Sequence, residues 1–157
     1  MSIKTVYLDM DGVLTNFRKG CEDHDAIEGT KVDWEKIHKL GSDFWAELEW
    51  LDGSDKFYRW LLKYCKSMKY DLCVLSAVNY ADGVAGKHEW LDAHCPEIPR
   101  QNRYFAKLGR MKNKYATDNA LLIDDFGKNI EAFVMAGGKG VKFDNPAQAK
   151  ADIIRLA

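Results

Sequence analysis

Ile3-Lys4-Thr5-Val6-Tyr7-Leu8-Asp9-Met10-Asp11-Gly12-Val13-Leu14-Thr15 is the stretch that decides the fold. Its first half is rich in β-branched and aromatic side chains and runs straight into an acidic, glycine-containing turn, the signature of a strand followed by a sharp bend. Gly12 permits the bend, and Asp9 and Asp11, two residues apart just past the strand, can both face one edge. Other apolar runs end in the same manner. Asp71-Leu72-Cys73-Val74-Leu75 closes at Ser76, Ala120-Leu121-Leu122-Ile123 closes at Asp124-Asp125, and Lys139-Gly140-Val141-Lys142-Phe143 closes at Asp144-Asn145-Pro146. Arg103-Tyr104-Phe105-Ala106 is a weaker candidate of the same kind.

Helical periodicities separate these runs. Phe57, Trp60, Leu61, Tyr64, Cys65 and Met68 form one stripe of a helix, and Ile130, Phe133 and Val134 another that stops at Gly137-Gly138. Trp90, Leu91 and His94 suggest a helix after Tyr80, and Asn145 with Pro146 reads as an N-cap and first turn of a last helix. Strands alternating with helices predict an α/β protein, a three-layer, doubly wound parallel sheet covered on both faces. In such sheets the ligand site lies beyond the carboxyl ends of the strands, so the polar residues that close the runs should converge. Residues 15–54 break the alternation: Trp34, Phe44, Trp45 and Trp50 sit on short helical patterns, with Asp33 and Ser42 as N-caps. They read as a small helical cap inserted after the first strand, leaving 1–14 and 55–157 as the core domain.

The bulk properties fit one domain. The chain has 157 residues, 46% hydrophobic and 30% charged, with a formal net charge of −1. That charge argues against a whole-surface grip on nucleic acid or acidic membranes. Cys21, Cys65, Cys73 and Cys95 form no C-x-x-C pair, and His94-Cys95 lacks a second pair at zinc-ligand spacing. Unpaired thiols of this kind suit a reducing cytosol. With no secretory core near the start and no apolar run near the ~20 residues of a membrane span, the expectation is a cytoplasmic protein.

The closing residues carry the chemistry. A carboxylate can attack phosphorus and form an aspartyl phosphate, and a second can protonate the departing alkoxide, so Asp9 and Asp11 are the candidate catalytic pair. Asp124 and Asp125 would bring more negative charge beside them, a repulsion that a hard divalent cation relieves. Mg²⁺ prefers carboxylate oxygens, waters and a substrate phosphate, which makes Asp9, Asp11, Asp124 and Asp125 the candidate metal site. Ser76 at its strand end is placed to hold phosphate oxygens. A cation is also needed near the transferred group, and Lys87 and Lys114 compete for that role. The segment from Arg100 to Thr117 holds Arg100, Arg103, Lys107, Arg110, Lys112 and Lys114 without an acid. It is either a solvated loop or a guide for anionic substrate.

These elements, in this order, resemble the haloacid dehalogenase-like hydrolases: a strand ending D-x-D-G-x-[LV]-[ST], a strand ending in Ser or Thr, a lysine, and a strand ending in acids. A closer resemblance is to the 5′(3′)-deoxyribonucleotidases, in Asp9-Met10-Asp11-Gly12-Val13-Leu14 with Phe17, in Phe44-Trp45, and in Leu121-Leu122-Ile123-Asp124-Asp125 preceded at ten residues by Lys114. The resemblance implies that Asp9 is the nucleophile and Asp11 the acid/base. It also implies that Mg²⁺ is held by Asp9, Asp124 and the Asp11 carbonyl. Ser76 and Lys114 would bind phosphate, with Lys87 as a secondary phosphate ligand, and Phe17, Phe44 and Trp45 would enclose a nucleobase. Ser76-Ala77-Val78 stands where those enzymes have a Thr-Ser-Pro-like turn, and the cap is reduced. The resulting expectation is a Mg²⁺-dependent phosphomonoesterase acting on nucleoside monophosphates. The alternatives are a phosphatase of nucleic-acid ends, favoured by the basic stretch, and a non-catalytic phosphate-binding domain.

Overall fold

The computed structural model describes residues 2–157. Its centre is β1 (Thr5–Leu8), flanked by β4 (Asp71–Ala77) and β6 (Ala120–Asp124), with β5 (Arg103–Ala106) and β7 (Lys139–Lys142) at the edges. All four pairings are parallel, in the order β5-β4-β1-β6-β7. The predicted doubly wound sheet is therefore present, including the weak candidate at Arg103–Ala106. Parallel strands buried on both faces must be apolar almost throughout, and β6 is buried at every position.

Alternation along the strands divides the core. Val6, Leu8, Leu121 and Ile123 face the larger cluster, covered by α4 (Ser54–Met68), α5 (Ala81–His94) and α7 (Pro146–Leu156). Leu122, Ala120 and Leu75 face a smaller one, built with Phe133 of α6 (Gly127–Met135) and the Tyr7, Tyr104 and Tyr115 rings. On α4, Phe57, Leu61 and Cys65 recur every four residues on the buried face. Each large apolar side chain so buried stabilises the fold by about 1.5–3 kcal/mol. The last helix begins as its sequence indicates: Asn145 and Gln148 cap one another's backbone, with Pro146 in the first turn.

Between β1 and α4 lie α1 (Phe17–Asp23), the short hairpin β2 (Ile27–Glu28) and β3 (Lys31–Val32), α2 (Trp34–Lys39) and α3 (Ser42–Ala46). Asp33 caps α2 as expected, whereas α3 is preceded by Gly41 at φ 68°, with Ser42 its first helical residue. Ile37, Phe44 and Trp45 belong to the same buried cluster as Val6 and Leu8, so the inserted segment shares the main core. It is fastened to α5 where Gly86 lies under the Ser42 carbonyl, a contact that leaves no room for a side chain. The Trp90 indole N–H adds a 2.8 Å bond to the Leu48 carbonyl. Among the described residues all four cysteines are unpaired and buried, and no helix is long and apolar enough to cross a membrane.

Candidate active site

Strand register builds the site. Leu8 is level with Ile123 of β6 and Val74 of β4, so Asp9 emerges beside Asp124, and the Asp9 N–H donates to the Ile123 carbonyl at 3.0 Å. Beyond Asp9 the chain turns back on itself: the Val13, Leu14 and Thr15 N–H groups all point at the Met10 carbonyl, and the Gly12 N–H bonds the Thr15 carbonyl. Gly12 has φ 84°, and a Cβ there would collide with the Asp125 carboxylate, so the turn and the acidic loop meet only because this residue is glycine. The hydroxyl of Thr15 holds Asp11 at 2.9 Å.

Two lysines knit the carboxylates together. Lys112, on the 3₁₀ helix Gly109–Tyr115, reaches in to donate to Asp9 Oδ1 at 2.9 Å and Asp124 Oδ2 at 2.7 Å, with its side chain 2% exposed. Lys87, on α5, donates to Asp11 Oδ2 at 3.0 Å, to the Ser76 hydroxyl at 2.5 Å and to the Ala77 carbonyl at 3.2 Å. Its ammonium also lies 4.8 Å from the centre of the Trp45 ring. Ser76 sits within β4 rather than after it, with Lys87 as its partner.

Burial pushes the Asp9 carboxyl well above the usual range; Lys112 opposes the shift, and Asp124, Asp125 and Asp11 reinforce it. Burial works against the Lys112 charge as well, yet Asp9 and Asp124 outweigh it and hold the ammonium above its usual range. Asp124 is held below the usual carboxylate range: burial opposes this, but the Lys112 charge, the Phe126 N–H at 2.9 Å and the Asn129 amide at 3.2 Å prevail. Asp125, at the rim, is pushed up to about 6 by partial loss of solvent and by the Asp124 charge. Asp9, Asp124 and Asp125 each offer an oxygen within 4.8 Å of the others, against the single opposing charge of Lys112. An all-oxygen set with surplus negative charge suits a hard divalent cation. The Asp11 carboxylate, taken by Thr15 and Lys87, stands outside that group.

The resemblance assigns phosphate binding to Lys114; the lysine that the structure sets among the carboxylates is Lys112. A 3₁₀ helix turns 120° per residue, so positions two apart point in different directions, and Lys114 is exposed and makes none of these contacts. Lys112 lies in the same basic stretch, and only the phase of that helix distinguishes the two. Of the aromatics expected around a base, Trp45 lines the cavity beside the site, whereas Phe17 and Phe44 stand behind it. Phe17 stacks on Trp45 at 5.5 Å and on Trp34 at 5.7 Å, and Phe44 meets Trp45 edge-on at 5.1 Å. The cavity, about 330 Å³, is lined by Trp34, Trp45 and Tyr80 together with Val78, Asn79 and Leu108. Trp34, His38 and Tyr80 were not anticipated as lining residues. In the sequence Trp34 is one more aromatic of the cap; its 47% exposure and its place in the cavity lining set it apart from a packing residue.

A parallel sheet with a D-x-D turn after its central strand, a serine on the next, and acids closing the third defines the haloacid dehalogenase-like hydrolase class. Solved structures with this fold are similar over almost the whole chain. A protein from Corynebacterium glutamicum aligns over 99% of this chain and 95% of its own, at 17% identity and TM-score 0.61. A haloacid dehalogenase-like hydrolase from Xanthomonas campestris aligns over 99% and 96%, at 12% identity and TM-score 0.59. A family enzyme from Bacteroides thetaiotaomicron, crystallised with magnesium, aligns over 90% and 93%, at 15% identity and TM-score 0.51. No curated protein sequence matches. The family model of the 5′ nucleotidase, deoxy (pyrimidine), cytosolic type C proteins matches residues 28–157, and the chain belongs to that family. It is an enzyme of the phosphatase and nucleotidase kind. The matched region contains Ser76, Lys87, Lys112, Asp124 and Asp125 but begins after Asp9 and Asp11.

Proposed function

We propose that the protein is a Mg²⁺-dependent phosphomonoesterase that hydrolyses (deoxy)nucleoside monophosphates through an aspartyl phosphate on Asp9. What carries the reading is the meeting of Asp9, Asp11, Ser76, Lys87, Lys112 and Asp124 at one sheet edge, next to an aromatic cavity of about 330 Å³. Asp9 attacks phosphorus, the ester P–O bond breaks, and Asp11 gives its proton to the leaving oxygen. Water then attacks the phosphoryl group on Asp9, Asp11 takes the water's proton, and inorganic phosphate leaves. Mg²⁺, held by Asp9, Asp124 and Asp125, would neutralise charge on the phosphoryl oxygens and keep Asp9 ionised despite its burial.

The chain's own residues supply the rest. Lys112 balances Asp9 and Asp124 so that the nucleophile stays charged and pointed at the substrate. Lys87 and Ser76 form the phosphate seat, and an incoming phosphate gives the Lys87 ammonium a partner other than Asp11. Trp34 and Tyr80 offer ring surface to the base, and Trp45, already stacked on Phe17 and faced by Lys87, closes the wall behind them. Residues 15–54 act as the small cap, with 1–14 and 55–157 as the core. The buried, unpaired thiols support a cytoplasmic setting.

The test is phosphate release from 5′- and 3′-mononucleotides and sugar phosphates, with Mg²⁺ or EDTA, for the wild type and Asp9→Asn. Release from nucleotides that EDTA and Asp9→Asn both abolish is expected. Near-normal turnover by Asp9→Asn would sink the mechanism, and turnover confined to sugar phosphates would sink the substrate.

A further inference from the structure

The basic stretch is divided by the fold, and the division leaves one cation beside the cavity without a task. Arg100 and Arg103 are spent on Asp92 of α5, at 2.9 and 2.7 Å, and Lys112 is buried between Asp9 and Asp124. Lys107 is exposed in the cavity wall and has no hydrogen-bond or ion-pair partner among the described residues. None of the residues lining that cavity is an aspartate or glutamate. Arg110 and Lys114, on the adjoining 3₁₀ helix, are exposed and equally unpartnered among the described residues.

Register gives the distance from the phosphate seat. Ser76 of β4 is level with Phe105 of β5 and Ala77 with Ala106, so Lys107 is the first residue past the end of β5. Its Cα stands one strand over and two residues further along than that of Ser76, roughly 8 Å by strand spacing and rise, an offset the long lysine side chain can adjust. A single sugar bridging two phosphates spans a distance of that order. At about 330 Å³ the cavity has room for about one nucleoside unit, so a second phosphate would lie toward solvent, and Lys107 is the exposed cation of the lining.

We propose that this site takes nucleotides carrying a second phosphate one sugar away from the reacting one, and that Lys107 is the residue that selects them. The inference rests on the nucleotidase reading above. A mononucleotide fills the phosphate seat and the aromatic wall and leaves Lys107 facing water; a second phosphate gives it a charge-assisted hydrogen bond. The same chemistry is offered by a free nucleoside 3′,5′-bisphosphate and by the 5′-phosphorylated end of an oligonucleotide.

The experiment measures kcat/KM for a nucleoside 5′-monophosphate, the matching 3′,5′-bisphosphate, a 5′-phosphorylated dinucleotide and p-nitrophenyl phosphate. The proteins are the wild type, Lys107→Ala and Lys107→Glu. In the wild type the bisphosphate should exceed the monophosphate about fivefold, through KM, as one partly exposed ion pair allows, and rising salt should erode the advantage. The ratio should fall to about one in Lys107→Ala and below one in Lys107→Glu. A dinucleotide that shares the advantage identifies chain ends as the source; one that does not identifies the free bisphosphate. A wild-type ratio near one, or a ratio that survives Lys107→Ala, overturns this inference and leaves the nucleotidase reading intact. Turnover of p-nitrophenyl phosphate without turnover of any nucleotide overturns both.

Discussion

Replacing Lys112 by alanine tests the electrostatic design of the site. Its ammonium lies 2.9 Å from Asp9 and 2.7 Å from Asp124, whose side chains are 8% and 0% exposed. Without it, two buried carboxylates face each other with no cation in a metal-free protein. Breaking a buried pair from one side costs about 3–5 kcal/mol, because the charge left behind is neither solvated nor paired. In a chain of this length each kcal/mol moves the midpoint by about 2–4 °C, so Lys112→Ala should melt roughly 6–20 °C lower in EDTA. Protonation of Asp9, whose carboxyl already sits high, relieves part of the cost and draws the result toward the lower figure. Adding Mg²⁺ should recover part of the loss, since a divalent ion supplies the missing charge. Lys114→Ala is the control: an exposed lysine without partners should shift stability by no more than about 0.5 kcal/mol. Thermal unfolding of both variants with and without Mg²⁺, alongside phosphate release, gives the answer. A Lys112→Ala protein as stable and active as the wild type, with Lys114→Ala inactive, would refute the assignment.

Further outcomes follow from the same structure. His88 is held below the usual imidazole range, first by burial and then by Arg100 and Arg103, and His94 is lowered by burial. The unfolded chain therefore binds protons more readily than the native one as pH falls through the ordinary imidazole range. The histidine contribution to stability is fully present above about pH 6.5 and is lost below it, and His88→Gln should remove its share of that loss in urea titrations. Burial raises the Cys65 and Cys95 thiols to about 12 and the Cys21 and Cys73 thiols to about 11. The native protein should thus react with a thiol reagent at neutral pH far more slowly than the urea-unfolded chain; equal rates would contradict the burial. Gly12→Ala should lose at least about 1–2 kcal/mol from the left-handed backbone alone and more from the collision with Asp125, with activity falling as Asp11 shifts. A variant matching the wild type in both respects would show that the turn is not as tight as described.

Much of this protein is legible in local chemistry. Runs such as Thr5–Leu8 and Ala120–Ile123 are too apolar to be anything but buried strands, and strand-helix alternation makes their neighbours parallel. Because ligand sites lie beyond the carboxyl ends of such strands, Asp9, Asp11, Ser76, Asp124 and Asp125 could be named from their positions at those ends. Asn145-Pro146 announced the last helix for the same reason: caps act over three or four residues, a range that sequence exposes directly.

What depends on contacts between distant segments was decided only by the tertiary structure. The choice of Lys112 over Lys114 rests on the phase of a seven-residue 3₁₀ helix against a sheet edge, and an excess of basic residues carries no phase. The cavity wall joins Trp34, Tyr80 and Leu108, each from a different part of the chain; Phe17 became a support because it stacks on Trp45 and Trp34, and Phe44 because it packs edge-on against Trp45. Gly86 beneath the Ser42 carbonyl sets where Trp45 meets Lys87, through a close approach between helices that no local pattern records. Sequence by itself determined which residue types stand at the sheet's ligand edge, since strand periodicity and burial act locally. The pairing of each charge and the facing of each aromatic ring belong to packing, where the energy depends on neighbours tens of residues away.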